Sequence, residues 1–306
     1  MVSRARLIPI VAFFVVLVAA YWSAPKKSVE AQITQCLGRC CCQPDLGYLP
    51  EVLDDLVRGT GYEGNYQINS RPRTRVLNIY FMCKTPSSPL KAFSGGCFYI
   101  PSSTPVIVCD KSFIDEYYNY FTTVPGPQNP AFARSLDSFA KPLMVNWFLG
   151  HEVGHAVQDP GSGHLAFDGK EPRCTDLRFD KGRELEADSF VVERGINESM
   201  PADPTVKAVR LFAFTAILWA VIDKEADRYG PATRTEKSEH SPFWLRTDTV
   251  RVPDMSCSHP PLIIRAVRLL DAITKRVELA KEQRPRFENT QPRIKYLGEQ
   301  DGSRWR

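Results

Sequence analysis

The chain has 306 residues, of which 43% are hydrophobic, 11% aromatic and 24% charged, so it can bury the core of one large or two small domains. This composition excludes a collagen-like repeat, an extended coiled coil and a wholly disordered chain. The net charge is only +4, from 39 basic and 35 acidic residues, without a concentrated basic face, and we therefore expect no nucleic-acid partner.

The first 31 residues have the composition of an export signal. Arg4 and Arg6 precede an uncharged, strongly apolar run at residues 7–22. This run is slightly shorter than a comfortable membrane span, so residues 1–31 are predicted to be either a cleaved signal peptide or an uncleaved anchor that contacts the membrane. Both alternatives place the protein outside the cytoplasm, in a periplasmic or extracellular location.

All nine cysteines follow this run, and in an oxidising compartment most of them should form disulfides. A Cys-rich segment is predicted at residues 32–75. Its cluster comprises Cys36, Cys40, Cys41 and Cys42. The cluster lacks the ordered pairs of a zinc knuckle, which favours disulfides over a metal site. Cys97 and Cys109 flank a predicted strand-turn-strand unit and are a candidate pair, although sequence alone does not give connectivity.

The remaining pattern predicts an α+β fold, mostly helical with a small sheet, in a domain spanning residues 76–280. Helices are predicted at residues 49–58, 111–121, 131–158, 182–194, 205–227 and 262–281, and strands at 76–82, 97–100 and 106–109. Asp110 is placed to cap the second helix, and Pro142 should break or kink the third. A long polar loop covers residues 161–181, and residues 281–306 are predicted to be a polar, disordered tail.

The clearest chemical signal is the segment His151-Glu152-Val153-Gly154-His155. Histidines four residues apart lie on one face of a helix, one turn apart, so both imidazoles can bind one zinc ion. Glu152 lies next to them, where it can act as a general base on a water molecule at the metal. The apolar residues before His151 indicate that this helix is buried, which two surface histidines would not require.

A catalytic zinc usually has three protein ligands, and Glu184 on the next predicted helix is the candidate for the third. Asp188 shares its helix face at four residues' distance and could hydrogen-bond a ligand histidine, which would set the tautomer. Ala187 leaves room for the two helices to approach closely. Glu186 points elsewhere and is the rival for the third ligand.

These segments together resemble the gluzincin zinc peptidases, and within them the group of HtpX-like heat-shock proteases and CAAX prenyl proteases. That group combines His-Glu-x-x-His with a later Glu-x-x-Ala-Asp, which Glu184, Ala187 and Asp188 match. Residues 91–96 and the apolar residues through 108 are similar to the group's Asn-Ala-Phe…Gly-Gly segment, with Lys91 where Asn is common. Residues 258–261, with Arg265, are similar to its C-terminal Ser/Thr-His-Pro-Pro and Arg.

The resemblance implies a zincin-like fold in which the edge strand of a small mixed sheet borders the active-site helix. It implies one Zn²⁺ per chain, bound by His151, His155 and Glu184, with Glu152 as the base. It also implies that His259 and Arg265 assist at the transition state. The membrane-bound relatives have several spans whereas this chain has at most one, which favours a soluble or singly anchored form.

The expected function is therefore an exported, zinc-dependent metalloendopeptidase that hydrolyses polypeptides such as misfolded or envelope proteins. One alternative keeps the metal but changes the reaction, as in an aminopeptidase. Another is a catalytically silent zinc-binding envelope protein with a binding or chaperone-like role, although a silent protein has no need to keep Glu152. The sequence does not give the substrate or the oligomeric state.

Overall fold

The structure is a computed structural model that describes residues 29–37, 41, 47–83, 95–101, 104–123, 130–158, 180–198, 204–228, 233–234, 248–250, 262–276 and 295–296. Its helices are α1 Val29–Cys36, α2 Leu49–Val57, α3 Lys111–Thr123, α4 Pro130–Gln158, α5 Asp180–Phe190, α6 Pro204–Arg228 and α7 Leu262–Arg276. A π-helical segment, Val191–Glu198, continues α5. The strands are β1 Tyr66–Ile68, β2 Leu77–Met82, β3 Cys97–Ile100, β4 Val106–Asp110, β5 Thr233–Arg234, β6 Asp248–Val250 and β7 Lys295–Tyr296. The fold is thus α+β and mostly helical.

The larger sheet is small and mixed, with the strand order β1-β2-β4-β3. β1 pairs with β2 and β2 with β4 in parallel, whereas β3 pairs with β4 in the antiparallel direction. β2 is apolar at nearly every position and buried along its whole length, as expected for a parallel strand covered on both faces. This order leaves β3 at one edge of the sheet.

The two faces of this sheet pack against different elements. On one face, side chains such as Phe81 and Tyr99 join the main core, to which α2, α4, α6 and α7 also contribute. On the other face, Tyr80 and Val108 pack with Ile33 of α1 in a smaller core. Residues before 76 therefore contribute helices to both cores, and they also supply β1, one strand of the sheet itself.

A second, three-stranded sheet has the order β5-β6-β7. β5 and β6 lie between the predicted helices at residues 205–227 and 262–281, where the sequence analysis names no element, and β7 lies in the polar tail. The pairs are only two residues long, and such short strands depend on their partner rather than on a sequence pattern of their own.

The long helix α4 supplies the centre of the main core. It has 29 residues and continues unbroken through Pro142. Met144, Trp147, Leu149 and Val153 are fully buried, so the half of α4 that carries the two histidines is surrounded by other elements. Among the described residues, no helix is both long enough and apolar enough to span a membrane.

Two features of the sheet agree with the sequence predictions. Cys97 and Cys109 face each other across β3 and β4 and form a disulfide, with an S–S distance of 2.13 Å. The Asp110 carboxylate accepts a hydrogen bond from the Ser112 N–H at 2.9 Å and so caps α3.

In the Cys-rich segment, Cys36 is disulfide-bonded and Cys41 is a half-buried free thiol. Burial raises the pKa of the Cys41 thiol to about 11.

Candidate metal centre

Helix α4 brings two histidines together inside the protein. His151 and His155 lie one turn apart, and their exposed fractions are 0% and 6%. Their Nε2 atoms are 3.0 Å from each other, so both rings point at the same small volume. Two buried imidazole nitrogens at this separation can bind one ion together.

Glu184 of α5 completes the group. Its carboxylate oxygens lie 3.0 Å from the His151 Nε2 and 3.4 Å from the His155 Nε2, and the side chain is fully buried. Glu186 is exposed, so the structure selects Glu184 over its rival. The close approach of α5 to α4 depends on Gly154, where a Cβ would lie only 3.1 Å from the Ala187 Cα.

The distances among the three donors suit a metal ion. Ligands about 2.0–2.1 Å from a tetrahedral ion are separated from one another by about 3.3 Å. His151, His155 and Glu184 offer donor atoms that all lie within 4.8 Å of one another, and the three contacts above lie close to the tetrahedral value. The group can therefore hold a metal ion. Two histidines and one carboxylate are a donor set known for zinc and for iron(II), so the donors alone do not name the ion.

Asp188 contacts the imidazole ring of His151. Its Oδ1 atom lies 3.0 Å from the His151 Nδ1, on the side of the ring opposite the metal-facing nitrogen. In the neutral imidazole, this hydrogen bond places the proton on Nδ1 and leaves Nε2 with a lone pair for a metal. Burial and Arg265 lower the pKa of His151, but the carboxylates of Asp188 and Glu184 raise it more, to about 9.

Arg265 of α7 binds the same carboxylate. Its Nη2 atom lies 2.9 Å from the Asp188 Oδ1, and its Nε atom lies 3.2 and 3.3 Å from the two carboxylate oxygens. Burial raises the pKa of Asp188, but the positive charges of Arg265 and His151 lower it by more. The pKa of Asp188 therefore lies below its usual value. Asp188 is thus an ionised, buried carboxylate shared between α4 and α7.

Glu152 faces the sheet. Its side chain is only 2% exposed, and its Oε2 atom accepts a hydrogen bond from the Tyr99 N–H at 2.7 Å. Tyr99 lies on β3, so this edge strand of the sheet borders α4. A carboxylate in this position can act as a base next to an ion held by His151 and His155.

The structure places most of the predicted site residues together, and it adds two partners that the sequence did not indicate. Six predicted residues are buried and linked by contacts or electrostatic proximity: His151, Glu152, His155, Glu184, Asp188 and Arg265. The new elements are the Tyr99 N–H as the partner of Glu152, and Asp188 as the partner of Arg265. The opposite charges of Asp188 and Arg265 are a signal that could have suggested this pair from the sequence. His259 and Lys91 lie outside the described residues.

Comparison with known proteins gives no further assignment. No family model, no curated protein and no solved structure matches this chain.

Proposed function

We propose that this protein is a zinc-dependent metalloendopeptidase. The observation that carries the proposal is the buried Glu152 carboxylate. Glu152 follows His151, one of three converging metal donors, and it accepts a hydrogen bond from the edge strand of the sheet. A site built only to store an ion needs no adjacent base. Zinc is favoured over iron because a base beside His-His-Glu ligands is the arrangement that hydrolytic zinc sites use.

The metal ligands and Glu152 have separate roles in hydrolysis. A zinc ion held by His151, His155 and Glu184 would supply a Lewis acid that lowers the pKa of water and polarises a carbonyl group. Glu152 takes a proton from the water that attacks the peptide carbonyl carbon. The carbon–nitrogen bond then breaks, and Glu152 passes the proton to the leaving amine.

Arg265 and His259 are the candidates for stabilising the negative charge that develops on the carbonyl oxygen. Burial lowers the pKa of Arg265, but Asp188 and the nearby charges of Glu184 and Glu152 raise it more. Its guanidinium group therefore stays charged and lies within electrostatic reach of the base. Its hydrogen bonds go to Asp188, so Arg265 also orients His151 indirectly.

Two observations support a polypeptide substrate and an endopeptidase. β3 is an edge strand next to the candidate site, and an extended peptide can add to such an edge through backbone hydrogen bonds. The buried carboxylates that the described residues bring to this cluster are Glu152, Glu184 and Asp188. Each has a role already, so no buried carboxylate of the cluster is left to hold the free amine that an aminopeptidase recognises.

The disulfide between Cys97 and Cys109 supports export to an oxidising compartment. The apolar residues 7–22 that would direct export lie outside the described residues. We propose a periplasmic or extracellular location, as a secreted or singly anchored form.

Glu152→Gln tests the proposal. The wild type should cleave casein in the presence of zinc, and the variant should bind zinc equally but lose cleavage by at least about 100-fold, because the general base is absent. Glu186→Gln is the matched control, since this exposed residue of α5 should leave cleavage unchanged. Equal cleavage by wild type and Glu152→Gln would refute the assignment. A zinc-loaded wild type that cleaves nothing would favour the silent binding protein.

A further inference from the structure

The register of β3 and β4 determines which backbone groups face the outer edge of the sheet. Cys97 and Cys109 lie opposite each other with Cα atoms 4.0 Å apart, the short spacing of a pair without mutual hydrogen bonds in an antiparallel ladder. The Asp110 N–H donates to the Gly96 carbonyl, as this register requires. The Cys97 N–H and C=O groups therefore point away from β4.

Tyr99 lies two residues after Cys97 on β3, so its backbone N–H and C=O groups point to the same edge of the sheet as those of Cys97. It is opposite Ile107, so its N–H also points away from β4 and takes no part in the ladder. That N–H donates to the Glu152 Oε2 atom at 2.7 Å. The edge strand thus directs a backbone donor at the candidate base.

This hydrogen bond is buried and charge-assisted. Tyr99 is fully buried and Glu152 is 2% exposed, so water competes little for either group. A donor to a carboxylate in such surroundings makes a short, strong and directional bond. Because it holds Oε2, it restricts rotation of the whole carboxylate and therefore also sets the direction of Oε1.

The strand that carries the donor is itself held in place by three contacts. The Cys97–Cys109 disulfide ties β3 to β4 two residues before Tyr99. The Gly95 N–H donates to the Asp110 Oδ2 at 2.9 Å, which fixes the start of the strand. The Tyr99 ring is packed in the main core. The N–H is therefore a preorganised group and not a chance contact of a loop.

We propose that Tyr99 is a positioning residue, whose backbone N–H orients Glu152 for proton transfer and does not bind the substrate. This inference rests on the proposed peptidase function. In the usual mode of strand addition, an outward N–H of an edge strand pairs with the incoming peptide. Here that group is already bonded to the base, so the peptide pairs with β3 at other positions.

Two variants of the full chain separate these roles. Tyr99→Pro removes the N–H, and proline is tolerated on an edge strand where the N–H faces outward. Tyr99→Ala keeps the N–H. Both remove the ring, so their difference isolates the hydrogen bond. The substrate is an internally quenched peptide that spans a casein peptide bond cleaved by the wild type.

Loss of positioning should lower kcat of Tyr99→Pro about 10- to 100-fold relative to Tyr99→Ala, the effect expected for a hydrogen bond to a charged group. KM and zinc content should be the same in both variants. A higher KM with unchanged kcat would overturn the inference, because the N–H would then hold the substrate. Equal kcat in the two variants would overturn it as well.

A spectroscopic test needs neither cleavage nor a folded proline variant. In metal-free protein labelled with ¹⁵N-tyrosine, the Tyr99 amide resonance can be assigned from its loss in Tyr99→Phe. Its proton should lie downfield in the wild type and move upfield in Glu152→Gln, since a carboxamide is a weaker acceptor than a carboxylate. An unmoved resonance would overturn the inference. A shift in a protein that cleaves nothing would support the hydrogen bond and refute the peptidase function.

Discussion

The packing of Gly154 against α5 predicts that a single methyl group disturbs the metal site. A Cβ at Gly154 would lie 3.1 Å from the Ala187 Cα, 3.2 Å from the Phe190 Cβ and 3.3 Å from the Ala187 Cβ. Carbon atoms in contact are normally about 3.5–4.0 Å apart, so α5 must move by about 0.5 Å to admit the methyl group. The Ala187 Cα belongs to the backbone, so rotation of a side chain does not relieve the clash. Glu184 lies one turn earlier on the same helix and moves with it.

Overpacking a core usually costs about 1–3 kcal/mol, and the gain in helix propensity returns about 1 kcal/mol, so we expect Gly154→Ala to lower the free energy of unfolding of the metal-free protein by up to about 2 kcal/mol. Zinc binding should weaken about tenfold, because Glu184 leaves its position beside the two histidines. Urea unfolding in the presence of a chelator measures the first effect. Competition with a fluorescent zinc indicator measures the second.

Gly150→Ala is the matched control, one turn earlier on α4. Its Cβ would meet the Leu56 Cδ2 at 3.0 Å and the Val191 Cγ2 at 3.4 Å, and both are ends of side chains that can adjust. The gain in helix propensity, about 1 kcal/mol, offsets that adjustment. If both variants unfold at the same urea concentration and bind zinc equally, the packing argument is refuted.

Two further predictions concern the groups around His151. Asp188→Asn should weaken zinc binding about 10- to 100-fold, because the ligand loses its orienting carboxylate, and unchanged affinity in an indicator competition would contradict this. In the metal-free wild type, a His151 pKa raised from 6.5 to about 9 stabilises the fold fully below pH 6.5, and this contribution is lost as the pH rises toward 9. Zinc must displace that proton, so the measured zinc affinity should rise over the same pH range and level off near pH 9. In Asp188→Asn the affinity should level off at a lower pH, because the carboxylate that raises the His151 pKa is absent. A flat profile between these pH values would refute the proton displacement.

The metal donors could be predicted because their chemistry depends on residue type and helical spacing. His151 and His155 had to share a face at four residues' distance, and the same spacing linked Glu184 to Asp188. The burial of α4 followed from the apolar residues that precede the histidines. The strands that position the site could also be predicted from the sequence, because β2 and β4 are runs of apolar, mostly β-branched or aromatic residues.

The partner of Glu152 could not be predicted, because every residue except proline carries a backbone N–H. That Tyr99 presents its N–H to α4 depends on the register of β3 against β4 and on the order of the sheet. These are long-range choices that single-sequence patterns do not encode. α1 was missed for a related reason: it packs on the sheet through Ile33 and Cys36, next to a segment with the composition of an export signal.

The zinc content of the purified full chain tests the proposed metal site most directly, compared with Glu184→Ala and with Glu186→Ala as the matched control. We expect about one zinc ion per chain in the wild type and in Glu186→Ala, and loss or marked weakening of binding in Glu184→Ala, because a catalytic site of this kind needs three protein ligands. A folded wild type without zinc would refute the proposed zinc site. Zinc retained with unchanged affinity in Glu184→Ala would contradict the ligand set.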